Sequence, residues 1–272
     1  MNRIDTQFAK LKTERRAAIM PFVTAGDPDL ETTRDLIRGL IEAGAGLIEV
    51  GLPYSDPIAD GPVIAASFTR ALRGGIKLSA TFEMIRSLRA EAGDGPFATT
   101  PLVGMGSYAL LHRRGVERFL GDAAEAGLDG MIVPDLPVEE SAELSRMAGT
   151  VGLKLVQLIT PSTPQERALR IARSTTGFIY YVSVAGLTGE RVSLPPDLAD
   201  NVAWLRGQTD LPVCIGFGIG SPEQVKALAP FADGLIVGSA LVRRLVDAAG
   251  RPRDEVVREA VAFVASLIEA TR

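Results

Sequence analysis

Ile19-Met20-Pro21-Phe22-Val23-Thr24, then Leu36, Ile37, Leu40 and Ile41 at helical spacing, then Leu47-Ile48-Glu49-Val50-Gly51: this stretch reads as strand, helix, strand. The two flanking runs are short, apolar and rich in β-branched residues, as buried strands are. Between residues 29 and 42 the apolar positions fall on one face of a helix, which would lie against the sheet. A crossover of this length joins parallel strands, whereas an antiparallel pair needs only a tight turn.

The same alternation continues to the end of the chain. Eight runs read as strands, at 19–24, 47–51, 101–105, 130–134, 154–158, 177–183, 212–216 and 234–237, with amphipathic segments between them. Eight parallel units close on themselves, so the expected architecture is α/β, a single (β/α)8 barrel of the TIM type filling 1–272. An open doubly wound sheet uses the same units and is the rival, but the even spacing of eight favours closure. Ile4, Phe8 and Leu11 predict an extra N-terminal helix capping the barrel's bottom. Glu42-Ala-Gly-Ala-Gly-Leu-Ile-Glu-Val50 and Glu125-Ala-Gly-Leu-Asp-Gly-Met-Ile-Val133 echo each other weakly as helix, glycine turn, strand. Helix starts are expected at Asp27-Pro28, Thr163-Pro164-Gln165-Glu166 and Ser221-Pro222-Glu223-Gln224, each with a capping residue before a proline.

Bulk properties narrow the function. A chain of 272 residues with 46% hydrophobic content can fill one large core without staples. Cys214 is the only cysteine, which excludes an intramolecular disulfide, and residues 1–18 lack the apolar core of a signal peptide. A cytoplasmic location follows as the expectation. With 29 basic and 33 acidic residues the net charge is -4, and the basic residues are scattered, which disfavours nucleic acid. Arg15-Arg16 and Arg113-Arg114 read as solvated surface.

In a barrel the chemistry sits where strands end, so residues just after each run take priority. Glu49 lies between Ile48 and Val50, and alternation sends it to the face opposite theirs. Facing the lumen, it would be a carboxyl whose pKa is raised by desolvation, able to give a proton as well as take one. Facing the rim, it would simply pair with a basic residue. Asp60 follows in a loop stiffened by Pro53, Pro57, Gly61 and Pro62; taken alone it reads more simply as a turn residue.

A second cluster spans the late loops: Gly186-Leu187-Thr188-Gly189, Gly216-Phe217-Gly218-Ile219-Gly220 and Gly238-Ser239. Glycines there let backbone N–H groups converge beside helix starts, which favours a phosphate. The Gly216 segment is no dinucleotide fingerprint, since its third glycine is misplaced and no ribose-binding acid follows. His112, the only histidine, reads as surface, Cys214 as packed mid-strand, and Trp204 as packing. One His and one Cys leave no zinc set and no Ser-His-Asp triad.

With both clusters placed, the chain resembles the alpha-subunit family of tryptophan synthase over nearly its whole length. The resemblance is carried by Pro21-Phe-Val-Thr-Ala-Gly-Asp-Pro28, Glu49-Val-Gly-Leu-Pro-Tyr-Ser-Asp-Pro-Ile-Ala-Asp-Gly-Pro62, Val133-Pro-Asp-Leu-Pro137, Gly186-Leu-Thr-Gly189, Gly216-Phe-Gly-Ile219 and Val237-Gly-Ser239. The second segment is highly specific, whereas the glycine motifs are shared with other phosphate-binding barrels. The resemblance implies retro-aldol cleavage of indole-3-glycerol phosphate to indole and glyceraldehyde 3-phosphate, with no cofactor or metal in this chain. It implies Glu49 as general acid and base and Asp60 on the indole N–H. Phe22, Met105 and Tyr180 would wall the indole pocket. Thr188, Gly189, Gly216, Gly218, Gly238 and Ser239 would hold substrate, the late glycines at its phosphate, and 183–194 would be a closing lid. The implied partner is a beta subunit carrying pyridoxal phosphate, in an alpha-beta-beta-alpha complex, with Pro53, Asp56, Pro57 and Asp135 facing it.

One departure from the family's pattern matters: Met105-Gly106-Ser107-Tyr108-Ala109-Leu110 stands where Tyr-x-Asn-Pro usually follows the methionine region. Two other readings accompany the leading one. One is another phosphosugar barrel enzyme such as an isomerase; the other is a subunit that activates its partner with weakened catalysis of its own.

Overall fold

In a computed structural model of the chain, residues 2–57, 60–91, 93, 95–182, 197–216, 218–247 and 250–272 are described. The eight strands are β1 (Ala18–Thr24), β2 (Ile48–Gly51), β3 (Leu102–Met105), β4 (Gly130–Ile132), β5 (Lys154–Ile159), β6 (Ile179–Val182), β7 (Val213–Gly216) and β8 (Gly234–Val237). Each pairs in parallel with the next, and β8 pairs with β1, so the sheet is a closed barrel rather than the open rival. Every expected run is a strand; β2, β3, β4, β6 and β7 are shorter than expected, β1 and β5 each a residue longer, and β8 is as expected.

Alternation along the strands sorts side chains into two apolar bodies. Ile48 and Val50 face outward, packed with Leu36, Ile37, Leu40 and Ile41 of the helix Leu30–Glu42. Met20, Phe22, Val103, Ile132, Cys214 and Ile236 face inward and fill the lumen. Parallel strands buried on both faces read as continuous apolar runs for this reason. Ile4, Phe8 and Leu11 of the helix Arg3–Glu14 join the inner body and close its lower end, where Phe8 meets Phe178 with ring centroids 5.8 Å apart. Trp204 packs on the outer body, Cys214 is fully buried and His112 is exposed.

Two helix starts differ from expectation. The Thr163 hydroxyl turns back to accept the Thr160 N–H, so the helix Gln165–Ser174 begins without a side-chain cap. After β1 the cap is Asp29, which accepts from Thr32, while Asp27 is drawn away into a bidentate pair with Arg70 at 2.9 and 2.7 Å. Ser221 caps as expected, and Gln224 reciprocates one residue further out, accepting from the Gly220 N–H at 2.8 Å. The arginine pairs are not uniformly solvated: Arg16 and Arg114 are half-buried, and Arg114 holds Asp122 at 2.8 Å. Among the described residues no helix is long and apolar enough to cross a membrane.

Candidate active site

The C-terminal ends of the strands enclose a cavity lined by Phe22, Glu49, Asp60, Met105, Tyr180, Gly216, Gly218, Gly238 and Ser239. Residues named from separate segments of the sequence therefore meet in one place. The position of Glu49 follows from strand register. It pairs with Phe22 of β1 on one side and Val103 of β3 on the other, both lumen residues. It is 1% exposed, and its Oε1 has no hydrogen-bond partner among the described residues. A rim ion pair is thereby excluded for Glu49. Desolvation, with the nearby charge of Asp60 second, pushes its carboxyl up to about 8.

Asp60 reaches the same cavity from the loop after β2. Its backbone N–H closes a turn onto the Pro57 carbonyl at 3.1 Å. Its Oδ2 accepts the Tyr54 hydroxyl at 2.6 Å. Desolvation raises the Asp60 carboxyl, the Tyr54 hydrogen bond holds it down, and the charge of Asp135 raises it again. Behind this loop the helix Pro62–Arg73 is pinned to β1 and the turn after it: Thr24 and Ser67 hydroxyls meet at 2.6 Å, and Arg70 grips Asp27. Phe68 of that helix, fully buried, lies between Phe22 and Tyr54, with ring centroids 6.3 and 5.0 Å away.

Opposite the carboxyls, the cavity wall turns to backbone. Gly216 ends β7 and Gly218 follows it, and Gly238 precedes Ser239, the first residue of the helix Ser239–Asp247. A helix N-terminus beside open glycine backbone suits an anion. Tyr180 packs so closely on Gly216 that a Cβ there would fall 2.6 Å from its ring. Burial, then the charges of Glu49 and Asp60, hold the Tyr180 phenol well above its usual range, so it stays neutral. Thr188 and Gly189, with the expected lid 183–194, lie outside the described residues.

At the rim, Asp56 and Asp135 are exposed, while Pro53 and Pro57 are half-buried. The departing segment after β3 is held by its own means. Ser107 caps the helix Tyr108–Arg114, and the Tyr108 N–H donates to Asp135 Oδ1 at 2.7 Å. Residues unassigned from sequence also line the cavity, among them Ile64, Ile132, Leu158 and Ile236. Strand alternation would have found the last three. Tyr54 carried no periodic signal.

The family model for the tryptophan synthase alpha chain matches residues 8–271. A tryptophan synthase alpha chain from Rhodopirellula baltica is 50% identical over 248 residues, spanning 91% of this chain and 88% of the relative. The crystal structure of tryptophan synthase subunit alpha from Legionella pneumophila is 36% identical, with a TM-score of 0.89 over 100% of this chain and 98% of that one. A chain from the crystal structure of M. tuberculosis tryptophan synthase in an aminoacrylate-bound form is 30% identical, with a TM-score of 0.86 and 100% of both chains covered. This chain belongs to the tryptophan synthase alpha chain family, the lyases that cleave indole-3-glycerol phosphate in tryptophan biosynthesis.

Proposed function

We propose that Glu49 and Asp60 carry out this cleavage within one cytoplasmic barrel domain, and that the observation carrying the assignment is the Glu49 carboxyl, fully buried on β2 with one oxygen unpartnered among the described residues. A carboxyl raised to about 8 is mostly protonated at neutral pH, as a general acid must be. Glu49 delivers its proton to the indole ring carbon that bears the glycerol chain. Positive charge then develops at the ring nitrogen, where the Asp60 carboxylate accepts the N–H. The carboxylate left on Glu49 takes the proton of the adjacent glycerol hydroxyl. As the C–O bond becomes a carbonyl, the carbon–carbon bond breaks and its electrons restore the aromatic ring. Indole and glyceraldehyde 3-phosphate leave, and Glu49 holds a proton again.

Phe22, Met105 and Tyr180 supply flat and apolar walls for the ring, and Gly216, Gly218, Gly238 and Ser239 supply backbone and hydroxyl donors for the phosphate, together with Thr188 and Gly189 from the lid. The partner is a beta subunit carrying the pyridoxal phosphate, docked on the rim around Pro53, Asp56, Pro57 and Asp135 in an alpha-beta-beta-alpha complex. Indole is apolar and diffuses freely, which favours handing it directly to the subunit that consumes it.

Measuring indole release by the full chain, with and without a beta subunit, tests the reading. Release that rises with the partner is expected. Glu49→Gln should abolish cleavage while substrate still binds, and Asp60→Asn should lower turnover by about a hundredfold or more, the usual scale for a positioned proton or charge partner. Near-wild-type turnover by Glu49→Gln would remove Glu49 from the mechanism.

A further inference from the structure

We propose that Tyr54 is a positioning residue for this reaction: its hydroxyl clamps one oxygen of Asp60 and so presents the other, as a carboxylate, to the indole nitrogen. The proposal rests on the assignment of Asp60 made above. Its own basis is geometric. The Tyr54 hydroxyl donates to Asp60 Oδ2 at 2.6 Å, the length of a hydrogen bond to an ionised acceptor. That bond spans the loop between the end of β2 and the helix Pro62–Arg73, and the Asp60 N–H to Pro57 carbonyl turn sits inside it.

Tyr54 can hold Asp60 only if its own ring is held. The ring is half-buried, inclined at 60° to Phe68, and packs on the same inner apolar body as Phe22 and Met105. Phe68 is in turn fixed by the helix that Ser67 and Arg70 pin to β1 and the turn after it. The aim of the Asp60 carboxyl is thus set by a chain of contacts running back to the barrel. Among the described residues, no other side chain hydrogen-bonds to Asp60.

The clamp also sorts the protons. Asp60 faces Glu49 from β2, Asp135 from beyond β4 and Tyr180 from β6, and all three of those groups are acids. Desolvation and the charge of Asp135 favour a neutral Asp60, which could not stabilise a cation. A donated hydrogen bond favours the carboxylate. Among the described residues Glu49 Oε1 receives no such donor, so the Glu49 proton stays in place while Asp60 stays charged.

The test uses the full chain with its beta subunit and compares Tyr54→Phe, Asp60→Asn and the double variant, measuring kcat and KM for indole-3-glycerol phosphate from acidic to basic pH. Phe keeps the ring against Phe68, and a thermal melt checks that each variant folds. Tyr54→Phe should lower kcat about tenfold at the acidic end, the scale of one hydrogen bond to a charged group. The acid limb of its profile should move to higher pH, and the deficit should shrink as pH rises. In the Asp60→Asn background the same change should add no further loss. Wild-type rates and an unmoved limb for Tyr54→Phe, beside a crippled Asp60→Asn, would overturn the proposal and leave the Asp60 assignment standing. A loss equal at every pH and persisting in the double variant would reduce Tyr54 to packing and also overturn it. Wild-type turnover by Asp60→Asn would bring down the assignment and the proposal together.

Discussion

Glu49 carries a carboxyl that folding takes out of water without giving its Oε1 a partner among the described residues, and this has a consequence for stability that is separate from chemistry. Its pKa rises from 4.5 to about 8 on folding. Between those values the folded state keeps a proton that the unfolded chain has released, so stability falls as pH rises through that window. Below 4.5 both states are protonated and nothing is lost; above about 8 the loss is complete. At about 1.4 kcal/mol per unit, the total is as much as about 5 kcal/mol. Glu49→Gln removes the titration while keeping the shape. Its melting temperature should therefore exceed the wild type's by a margin that grows with pH and levels off above about 8. A margin that stays constant from acid to base would show that Glu49 does not titrate in this range. A residue made costly to fold at the pH where it works is a common mark of an active site.

At the scale of elements, β6 and β7 show how tightly neighbouring strands fix the pocket. Tyr181 of β6 pairs with Ile215 and Val182 with Gly216, and the Tyr180 ring lies over Gly216 where any side chain would stand. Gly216→Ala places a methyl 2.6 Å from Tyr180 Cε1 and 2.8 Å from its hydroxyl, so the ring must swing into the cavity it lines. A KM increase of about tenfold or more for indole-3-glycerol phosphate is expected, with a smaller change in melting temperature, since a wall displaced by about 1 Å weakens ground-state binding before it unfolds a strand. Unchanged KM would mean that the ring moves away from the substrate. Strand-borne features of this kind were largely legible in advance, because period-two alternation sets Glu49 on the face opposite Ile48 and Val50, and barrel closure makes that face the lumen. Loop-borne features were not. Asp60 reads as a turn residue until Phe68, held through Ser67 by Thr24 far back in the chain, shows what orients Tyr54. The Thr163 hydroxyl failed to cap its helix for a similar reason, since a closer donor at Thr160 took it. The resemblance supplied the role of Asp60 that local pattern could not, and the segment after β3 is held by a capping Ser107 and by the Tyr108 N–H donating to the Asp135 carboxylate.

For the whole molecule, closure of the barrel separates the two ends of one lumen into different tasks. The upper end holds the buried Glu49 carboxyl, the Asp60 carboxyl and glycine backbone; the lower end is sealed by apolar side chains of the helix Arg3–Glu14. Ile4, Phe8 and Leu11 belong to the same inner body as Phe22 and Met105, so the plug and the pocket are opposite ends of one packed column. Damage at the bottom should therefore appear in stability and not in chemistry, in keeping with the division of labour between the two faces of such barrels. Phe8→Ala removes the ring that stacks obliquely on the fully buried Phe178 and opens a void that the closed sheet cannot collapse to fill. It should cost about 3 to 5 kcal/mol, read as a lower denaturant midpoint with an unchanged slope. If the chain is one domain, the transition should remain single, and kcat per folded molecule should match the wild type at temperatures where both are folded. A second transition would show that the N-terminal helix melts apart from the barrel. A drop in kcat without loss of stability would show that the inner column transmits strain from its lower end to Glu49, and that the two tasks are not separated.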